Sequence, residues 1–216
     1  MNIPRVIIVI ASSLDGRIAF PGGGESHLGS DEDKKILKEN ISMVDATIFG
    51  LGTLIAHQST YLVKNLTEKD EVNISKSQPI SIVASNSKKF NCNWKYFRQP
   101  IRRWLISSSK VDNSSNNEFE KELFFEDSWE KTLISLKKKG INDLALLGGA
   151  KLINSFIKED LITDIKITII PRIIGGIYTW IPPEQTNAIF NLKRLWEIKS
   201  VKNLMNNEIH VHYKKI

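Results

Sequence analysis

Residues 144–157 read LALLGGAKLINSFI, and this stretch decides the fold. An apolar run from Leu144 to Leu147 meets two glycines, and a helical pattern with Leu152 and Phe156 on one face follows at once. The pattern predicts a strand, a glycine turn and a helix. Two glycines let backbone N–H groups approach a ligand closely, and a helix N-terminus attracts anions. The turn therefore suits a pyrophosphate, although such a turn is also common as a structural element alone.

Apolar runs of the same kind recur on both sides of this stretch. They predict strands at 5–12, 46–49, 79–84, 102–107, 144–147 and 164–171, with a shorter one at 123–126. Helical patterns begin at Ser30 and Ser128, which are typical N-caps. Strands apolar along their whole length that alternate with helices indicate a parallel sheet.

The end of the chain follows a different pattern. Residues 195–202 and 208–214 alternate in polarity, which predicts an antiparallel hairpin with one wet face. We therefore expect residues 1–216 to form a single α/β domain. Its mostly parallel central sheet would be flanked by helices and closed by the C-terminal hairpin.

Composition limits the classes of function. No apolar run approaches the ~20 residues that a membrane span needs, and the run at 6–10 is too short for a signal peptide, so a cytoplasmic protein without a membrane partner is expected. Cys92 is the one cysteine, which excludes an intrachain disulfide. The net charge of +6 raises nucleic-acid binding as an alternative, but the cations are scattered among acids, which favours compositional drift. His210 and His212 alternate on the hairpin without a third metal ligand, so a surface position and no metal are expected.

The carboxyl ends of the predicted strands gather polar and glycine residues. Ligands bind at this edge of an open parallel sheet. The ends carry Ala11, then Gly50, Gly52 and Thr53, then Ser85, Ser87 and Lys88, and last the Gly148-Gly149 turn. Hydroxyl and cationic groups at Ser85 and Lys88 suit an adenosine 2′-phosphate. Each residue alone is also compatible with an ordinary solvated loop, but together they favour NADPH.

The same segments resemble a known family. They are ASSLDGRIA at 11–19, Gly29-Ser30, DATIFGLGTL at 45–54, LGGAKL at 147–152, and LITD at 161–164 leading to IPRIIGG at 170–176. In order and spacing they are similar to the 5-amino-6-(5-phosphoribosylamino)uracil reductases of riboflavin biosynthesis, which have a dihydrofolate-reductase-like fold. The deaminase domain that accompanies many such reductases is missing from the sequence, so a stand-alone reductase is expected.

The resemblance implies roles for individual residues. Together with the strand-end pattern, it assigns cofactor binding to Ala11, Gly50, Gly52, Thr53, Ser85, Lys88, Gly148, Gly149, Ala150, Lys151 and Leu152. Substrate contacts are expected from Glu25, Ser26 and His27, in the loop before the first helix. Lys64 stands where the family commonly has an Arg that holds the substrate phosphate, and a Lys supplies charge there without a bidentate fork.

Asp15 is the candidate catalytic residue. It would lie beside the nicotinamide end, where it would orient a substrate amine or relay a proton; an Asp-Gly pair is equally typical of a turn. His57 is a weaker candidate for proton donor, because a lone His in a helical segment more often lies at the surface.

The implied reaction is NADPH-dependent reduction of a ribosylamino to a ribitylamino group, by hydride transfer to the sugar C1′ of a ring-opened imine in a homodimeric enzyme. Three residues depart from the family: Ile41 replaces an Arg, and His57 and Leu147 replace acids. Cofactor positions thus match better than substrate positions. The alternative is the same fold and cofactor acting on a pterin, a folate or another small carbonyl or imine compound.

Overall fold

The computed structural model describes residues 2–24, 28–63, 78–87, 89–108, 118–182 and 195–216. The strands within these residues are β1 (Arg5–Ser13), β2 (Ala46–Gly50), β3 (Ile80–Ala84), β4 (Arg103–Ser107), β5 (Lys121–Phe124), β6 (Asp143–Gly148), β7 (Asp164–Ile170), β8 (Trp196–Asn203) and β9 (Ile209–Lys215). The helices are α1 (Asp31–Ser42), α2 (Leu51–His57), α3 (Lys95–Arg98), α4 (Trp129–Lys138) and α5 (Ala150–Lys158).

These strands form one nine-stranded sheet in the order β5-β4-β3-β2-β6-β1-β7-β9-β8. The neighbours from β5 to β7 pair in parallel, whereas β9 pairs antiparallel with β7 and with β8. The predicted α/β class, the parallel centre and the closing hairpin are confirmed.

The central strands are apolar on both sides because helices cover both faces of the sheet. In β1, Val6 and Ile8 are fully buried towards one core, and Ile7 and Val9 are buried towards another. The first core also contains Phe156 of α5. This double burial is why β1 reads as a continuous apolar run and not as an alternating one.

The structure differs from the sequence prediction at the edge of the sheet. β5 covers Lys121–Phe124, two residues before the predicted 123–126, because its pairing is set by β4 and begins with Lys121 opposite Trp104. The Lys121 ammonium lies 4.8 Å from the centre of the Trp104 ring. Helix α2 begins directly after β2 at Leu51, where the glycines of the sequence predict a turn.

The closing hairpin corrects a second prediction. Asn206 and Asn207 have positive φ values of 60° and 58°, a conformation that Asn tolerates, and turn the chain between β8 and β9. His210, expected at the surface, is 5% exposed instead, and it lies between its cross-strand partners Thr168 of β7 and Lys202 of β8. None of the helices in the described ranges has the length and apolarity to span a bilayer.

Candidate active site

Two adjoining cavities open where the parallel strands end. The first, of about 1560 Å³, is called the glycine cleft, and its walls include Gly50–Thr53, Ser85–Ser87, Gly149–Leu152 and Gly176–Thr179. The second, of about 1080 Å³, is called the inner cavity, and its walls include Ala11, α1 residues, Ser59–Val63, Leu147–Gly149, Thr168 and His210. Four residues line both: Ile18, Thr53, His57 and Gly149. Ligands in the two cavities would therefore meet at this shared wall.

The Gly148-Gly149 turn brings β6 against the start of α2. Both glycines have positive φ, 141° and 88°, which side-chain-bearing residues rarely adopt. A Cβ placed on Gly149 would lie 3.4 Å from the Gly50 backbone nitrogen and 3.6 Å from Thr53 Oγ1. The two glycine segments that the sequence singled out thus lie next to each other, and the positive φ values favour glycine at both positions of the turn.

The N-terminus of α5 differs from those of α1 and α4. Ser30 Oγ caps α1 and Ser128 Oγ caps α4, and carboxylates from elsewhere reinforce both: Glu208 accepts from the Ser30 N–H at 2.8 Å, and Glu159 from the Trp129 N–H at 3.0 Å. At α5 the capping residue is Gly149, without a side-chain bond, and the first turn holds no acid. Ala150, Lys151 and Leu152, which open this helix, line the cleft, and among the described residues no side chain caps their N–H groups, as a phosphate site requires.

A preformed loop closes the far end of the glycine cleft. The Ser85 hydroxyl donates to the Ser87 carbonyl at 2.8 Å and accepts from the Ser87 N–H at 3.1 Å. Asn86 Oδ1 accepts from the Ser108 hydroxyl at 2.7 Å, which ties this loop to the end of β4. Ser85 therefore shapes the wall of the cleft as well as presenting an oxygen.

The structure brings together every cofactor candidate that it describes. Ala11 and Gly148 line the inner cavity; Gly50, Gly52, Ser85, Ala150, Lys151 and Leu152 line the glycine cleft; Thr53 and Gly149 line both. Glu25, Ser26, His27, Lys64 and Lys88 lie outside the described residues, so their roles stay predictions. Of the positions that depart from the family, His57 and Leu147 line the inner cavity, whereas Ile41 is buried elsewhere in the core.

Asp15 holds two loops together and is not among the described residues that line either cavity. Its carboxylate accepts from the Ser13 hydroxyl at 2.6 Å and from the N–H groups of Ile174 and Gly175 at 3.1 and 2.7 Å. These bonds, led by the one from Ser13, hold the pKa of Asp15 well below its usual range. Such a group stays ionised and does not donate a proton at neutral pH, so the geometry favours positioning over proton relay.

Sequence analysis missed a polar group in the inner cavity, made of Asp33, Thr168 and His210. Burial raises the pKa of Asp33, a hydrogen bond with Thr168 opposes that change, and the nearby Glu208 charge adds to it. Asp33 had the appearance of an ordinary acid in the first turn of a helix. Its partners come from β7 and β9, and no local signal connects them to α1.

His210 is the neutral member of this group. Burial, with the positive charges of Lys166 and Lys202, lowers its pKa to about 4. His210 Nδ1 lies 3.0 Å from Thr168 Oγ1. We assign the proton to Nδ1, since the Thr168 hydroxyl is then free to donate to Asp33.

Cationic side chains surround the inner cavity. Lys34 and Lys38 from α1 and Lys95 from α3 line it, and Lys34 Nζ is 2.9 Å from Asp31 Oδ1. The cavity thus has an acidic group at one place and cations at others. This combination suits a ligand that carries both hydrogen-bond donors and a phosphate.

A family model described as the RibD C-terminal domain matches residues 4–207. The chain belongs to this family. The resemblance deduced from the sequence is thereby confirmed. The glycine turn and residues of both cavities lie within the matched range.

Two curated relatives show what the chain is similar to. The 2,5-diamino-6-ribosylamino-4(3H)-pyrimidinone 5′-phosphate reductase of Archaeoglobus fulgidus is 26% identical over 181 residues, 80% of this chain and 83% of the relative. The riboflavin biosynthesis protein RibD of Buchnera aphidicola is 26% identical over 186 residues, 81% of this chain and 50% of the relative. The chain thus spans about half the length of that RibD protein.

Solved structures agree on the fold. Acinetobacter baumannii RibD superposes with a TM-score of 0.79 at 19% identity, covering 100% of this chain and 59% of that one. A dihydrofolate reductase from Enterococcus faecalis complexed with NADP(H) superposes with a TM-score of 0.57 at 12% identity, covering 98% and 96%. The predicted dihydrofolate-reductase-like fold is confirmed, and membership of a reductase family on this fold implies a nicotinamide cofactor.

Proposed function

We propose that this chain is an NADPH-dependent reductase that converts the ribosylamino group of a phosphorylated aminopyrimidine to a ribitylamino group. The substrate named by the resemblance is 5-amino-6-(5-phosphoribosylamino)uracil, a riboflavin precursor. One observation carries the proposal: the glycine cleft and the inner cavity share a wall at Thr53, His57 and Gly149. The name of the Archaeoglobus relative, a reductase of a ribosylaminopyrimidinone phosphate, supports the same chemistry.

The glycine cleft is the proposed cofactor site. The uncapped N–H groups of α5 would bind the pyrophosphate, since the dipole and the absence of acids in that turn favour an anion. Gly148 and Gly149 let the backbone come close, and the loop at Ser85 with Lys88 would hold the 2′-phosphate and favour NADPH over NADH. When bound, the cofactor supplies the hydride.

The inner cavity is the proposed substrate site. Lys38 and Lys95 offer charge for the phosphate, and we keep Glu25, Ser26, His27 and Lys64 as proposed contacts. The walls at Ala11, Thr53 and Gly149 would hold C1′ of the open-chain imine against the shared boundary. Placing two reactants in such a near-attack geometry accounts for much of catalysis when the cofactor carries the chemistry. Asp15 would act by holding the loop at Ile174, which continues into the cleft wall.

We also propose that residues 1–216 act as a single reductase domain and form a homodimer. The single sheet supports the first proposal. Exposed apolar side chains at the hairpin, among them Ile198, Val201 and Met205, support the second. Light scattering coupled to size exclusion would give a mass of two chains, and a monomer at micromolar concentration would contradict the dimer.

The proposed activity is tested by incubating the chain with NADPH and the aminouracil phosphate. NADPH absorbance is expected to fall while mass spectrometry detects a product two hydrogens heavier. NADH should be used much less efficiently. NADPH binding without turnover of an aminopyrimidine phosphate would favour the alternative substrates, a pterin, a folate or another carbonyl compound.

A further inference from the structure

Asp33 is the one acidic side chain among the described residues that line the inner cavity. It lies in the first turn of α1, and its carboxylate folds over Gly29, where any side chain would overlap with it. Gly29 lines the same cavity. The backbone before α1 therefore leaves room for this carboxylate to face the cavity.

The carboxylate is held from the far side by the sheet. Thr168 of β7 faces it closely enough to oppose the rise in its pKa, and His210 Nδ1 of β9 lies 3.0 Å from Thr168 Oγ1. With the proton assigned to His210 Nδ1, the Thr168 hydroxyl accepts from His210 and is free to donate to Asp33. Thr168 uses at most one acceptor site of Asp33, and an ionised carboxylate keeps further acceptor sites for a ligand.

The neighbouring charges are already committed to other partners. Glu208 accepts from Ser30 at 2.8 Å through N–H and at 2.6 Å through the hydroxyl. The Lys34 ammonium is 2.9 Å from Asp31. In the described part of the chain no cationic side chain lies within salt-bridge distance of Asp33. A carboxylate in this setting is best satisfied by hydrogen-bond donors from a ligand.

The alternative is a purely structural role, in which Asp33 only complements the dipole of α1. Asp31 and Glu32 already supply acids to that turn, and Asp31 is fully in solvent. A third acid, turned inward and partly desolvated, adds little to this role and is harder to ionise. Its direction into the cavity points to a ligand.

We propose that Asp33 accepts two hydrogen bonds from a 2-aminopyrimidin-4-one ring, one from N3–H and one from the 2-amino group. The inference rests on the proposed function and specifies its substrate. It predicts that the chain prefers 2,5-diamino-6-ribosylamino-4(3H)-pyrimidinone 5′-phosphate over 5-amino-6-(5-phosphoribosylamino)uracil. In the uracil, a C2 carbonyl replaces the amino group and would face the carboxylate, acceptor against acceptor.

The experiment measures kcat/KM for both substrates with NADPH. A matched two-donor contact to a base discriminates by roughly 10- to 100-fold, and a site left with unpaired polar groups discriminates more strongly. We expect the wild type to favour the 2-amino substrate by about 10-fold or more. In Asp33→Asn the amide offers one donor and one acceptor, which suits the uracil edge, so the ratio should fall to about one or below.

The matched control is Asp31→Asn, the same change two residues earlier on the exposed side of α1. It should leave the wild-type ratio intact. Equal use of both substrates by the wild type, or a ratio that Asp33→Asn does not change, would overturn this inference and leave the reductase proposal standing. If neither substrate is reduced although NADPH binds, the proposed function fails and this inference fails with it.

A second measurement needs no variant. Protonated Asp33 presents one O–H and one C=O, the complement of the uracil edge. Since burial raises the pKa of Asp33, the wild-type preference should shrink as the pH falls from neutral towards that pKa. A preference that is constant over this range, after correction for titration of the substrates, would contradict the assignment.

Discussion

The glycine cleft and the inner cavity share a wall but are built in different ways. The cleft is made largely of backbone from short continuous segments, Gly50–Thr53 and Gly149–Leu152. The polar group of the inner cavity is made of side chains from α1, β7 and β9, which are far apart in the sequence. A site built from backbone can be predicted from the local sequence, above all from its glycines. A site built from side chains of distant elements has no such local signal.

The helix N-termini extend this comparison. At α1 and α4 a Ser cap and a distant carboxylate, Glu208 or Glu159, occupy the N–H groups. At α5 neither is present, and a glycine turn replaces them. The capped N-termini of α1 and α4 stabilise the fold, whereas the N-terminus of α5 is available to bind an anionic ligand.

The largest expected effect breaks the cleft. Gly149→Ala should lower NADPH affinity by about 100-fold, because a positive φ strains a side-chain-bearing residue by about 1–3 kcal/mol and the strained turn carries the first N–H groups of α5. Fluorescence titration with NADPH measures it. Gly140→Ala is the control: its φ is +91° with no atom within 4 Å of the new Cβ, so it should lose stability and keep affinity. Wild-type affinity in Gly149→Ala would remove the turn from the cofactor site.

The second effect concerns His210 of the inner cavity and the pH dependence of the stability of the fold. His210 has its pKa lowered to about 4, below the ordinary value of 6.5, so between these pH values the unfolded chain binds a proton that the folded chain does not. The free energy of unfolding should therefore fall as the pH drops from 6.5 to 4, by at most about 1.4 kcal/mol per pH unit and about 3 kcal/mol in all. Urea titrations at several pH values measure this free energy, and in His210→Gln it should depend less steeply on pH than in the wild type. The same pH dependence in His210→Gln and the wild type would show that other groups cause the loss of stability at low pH.

The third effect tests the cations of the inner cavity. Lys38→Met should raise the KM for the phosphorylated substrate by about 10-fold with kcat little changed, because charge-assisted hydrogen bonds contribute about 1.5–3 kcal/mol. Lys35→Met removes an exposed charge from the same helix and serves as the control. An equal rise in both variants would indicate long-range charge and not contact.

The smallest effect separates positioning from catalysis at Asp15. Asp15→Asn keeps one acceptor oxygen but loses the charge that strengthens the bonds to Ile174 and Gly175, so the KM for NADPH should rise by roughly two- to fivefold. The pH profile of kcat should stay the same, because the depressed pKa keeps the carboxylate ionised throughout. A profile that shifts in this variant would restore Asp15 as a proton-transfer group.

The sequence by itself determined the α/β class, the closing hairpin, the family and the glycine turn. Each of these depends on local rules: apolar runs for doubly covered strands, Ser caps for α1 and α4, and glycine where φ must be positive. β5 was misplaced by two residues because pairing with β4, and not its own composition, sets where an edge strand begins.

Only the tertiary structure decided the composition of the inner cavity. Asp33 reads as one more acid at a helix start, and His210 reads as a surface residue of an alternating strand. β9 pairs on both sides, which places His210 beside Thr168, and α1 sets Asp33 over Gly29 and against them. Burial and desolvation depend on residues that are distant in the sequence. The local sequence therefore predicts neither the neutral state of His210 nor the inward direction of the Asp33 carboxylate.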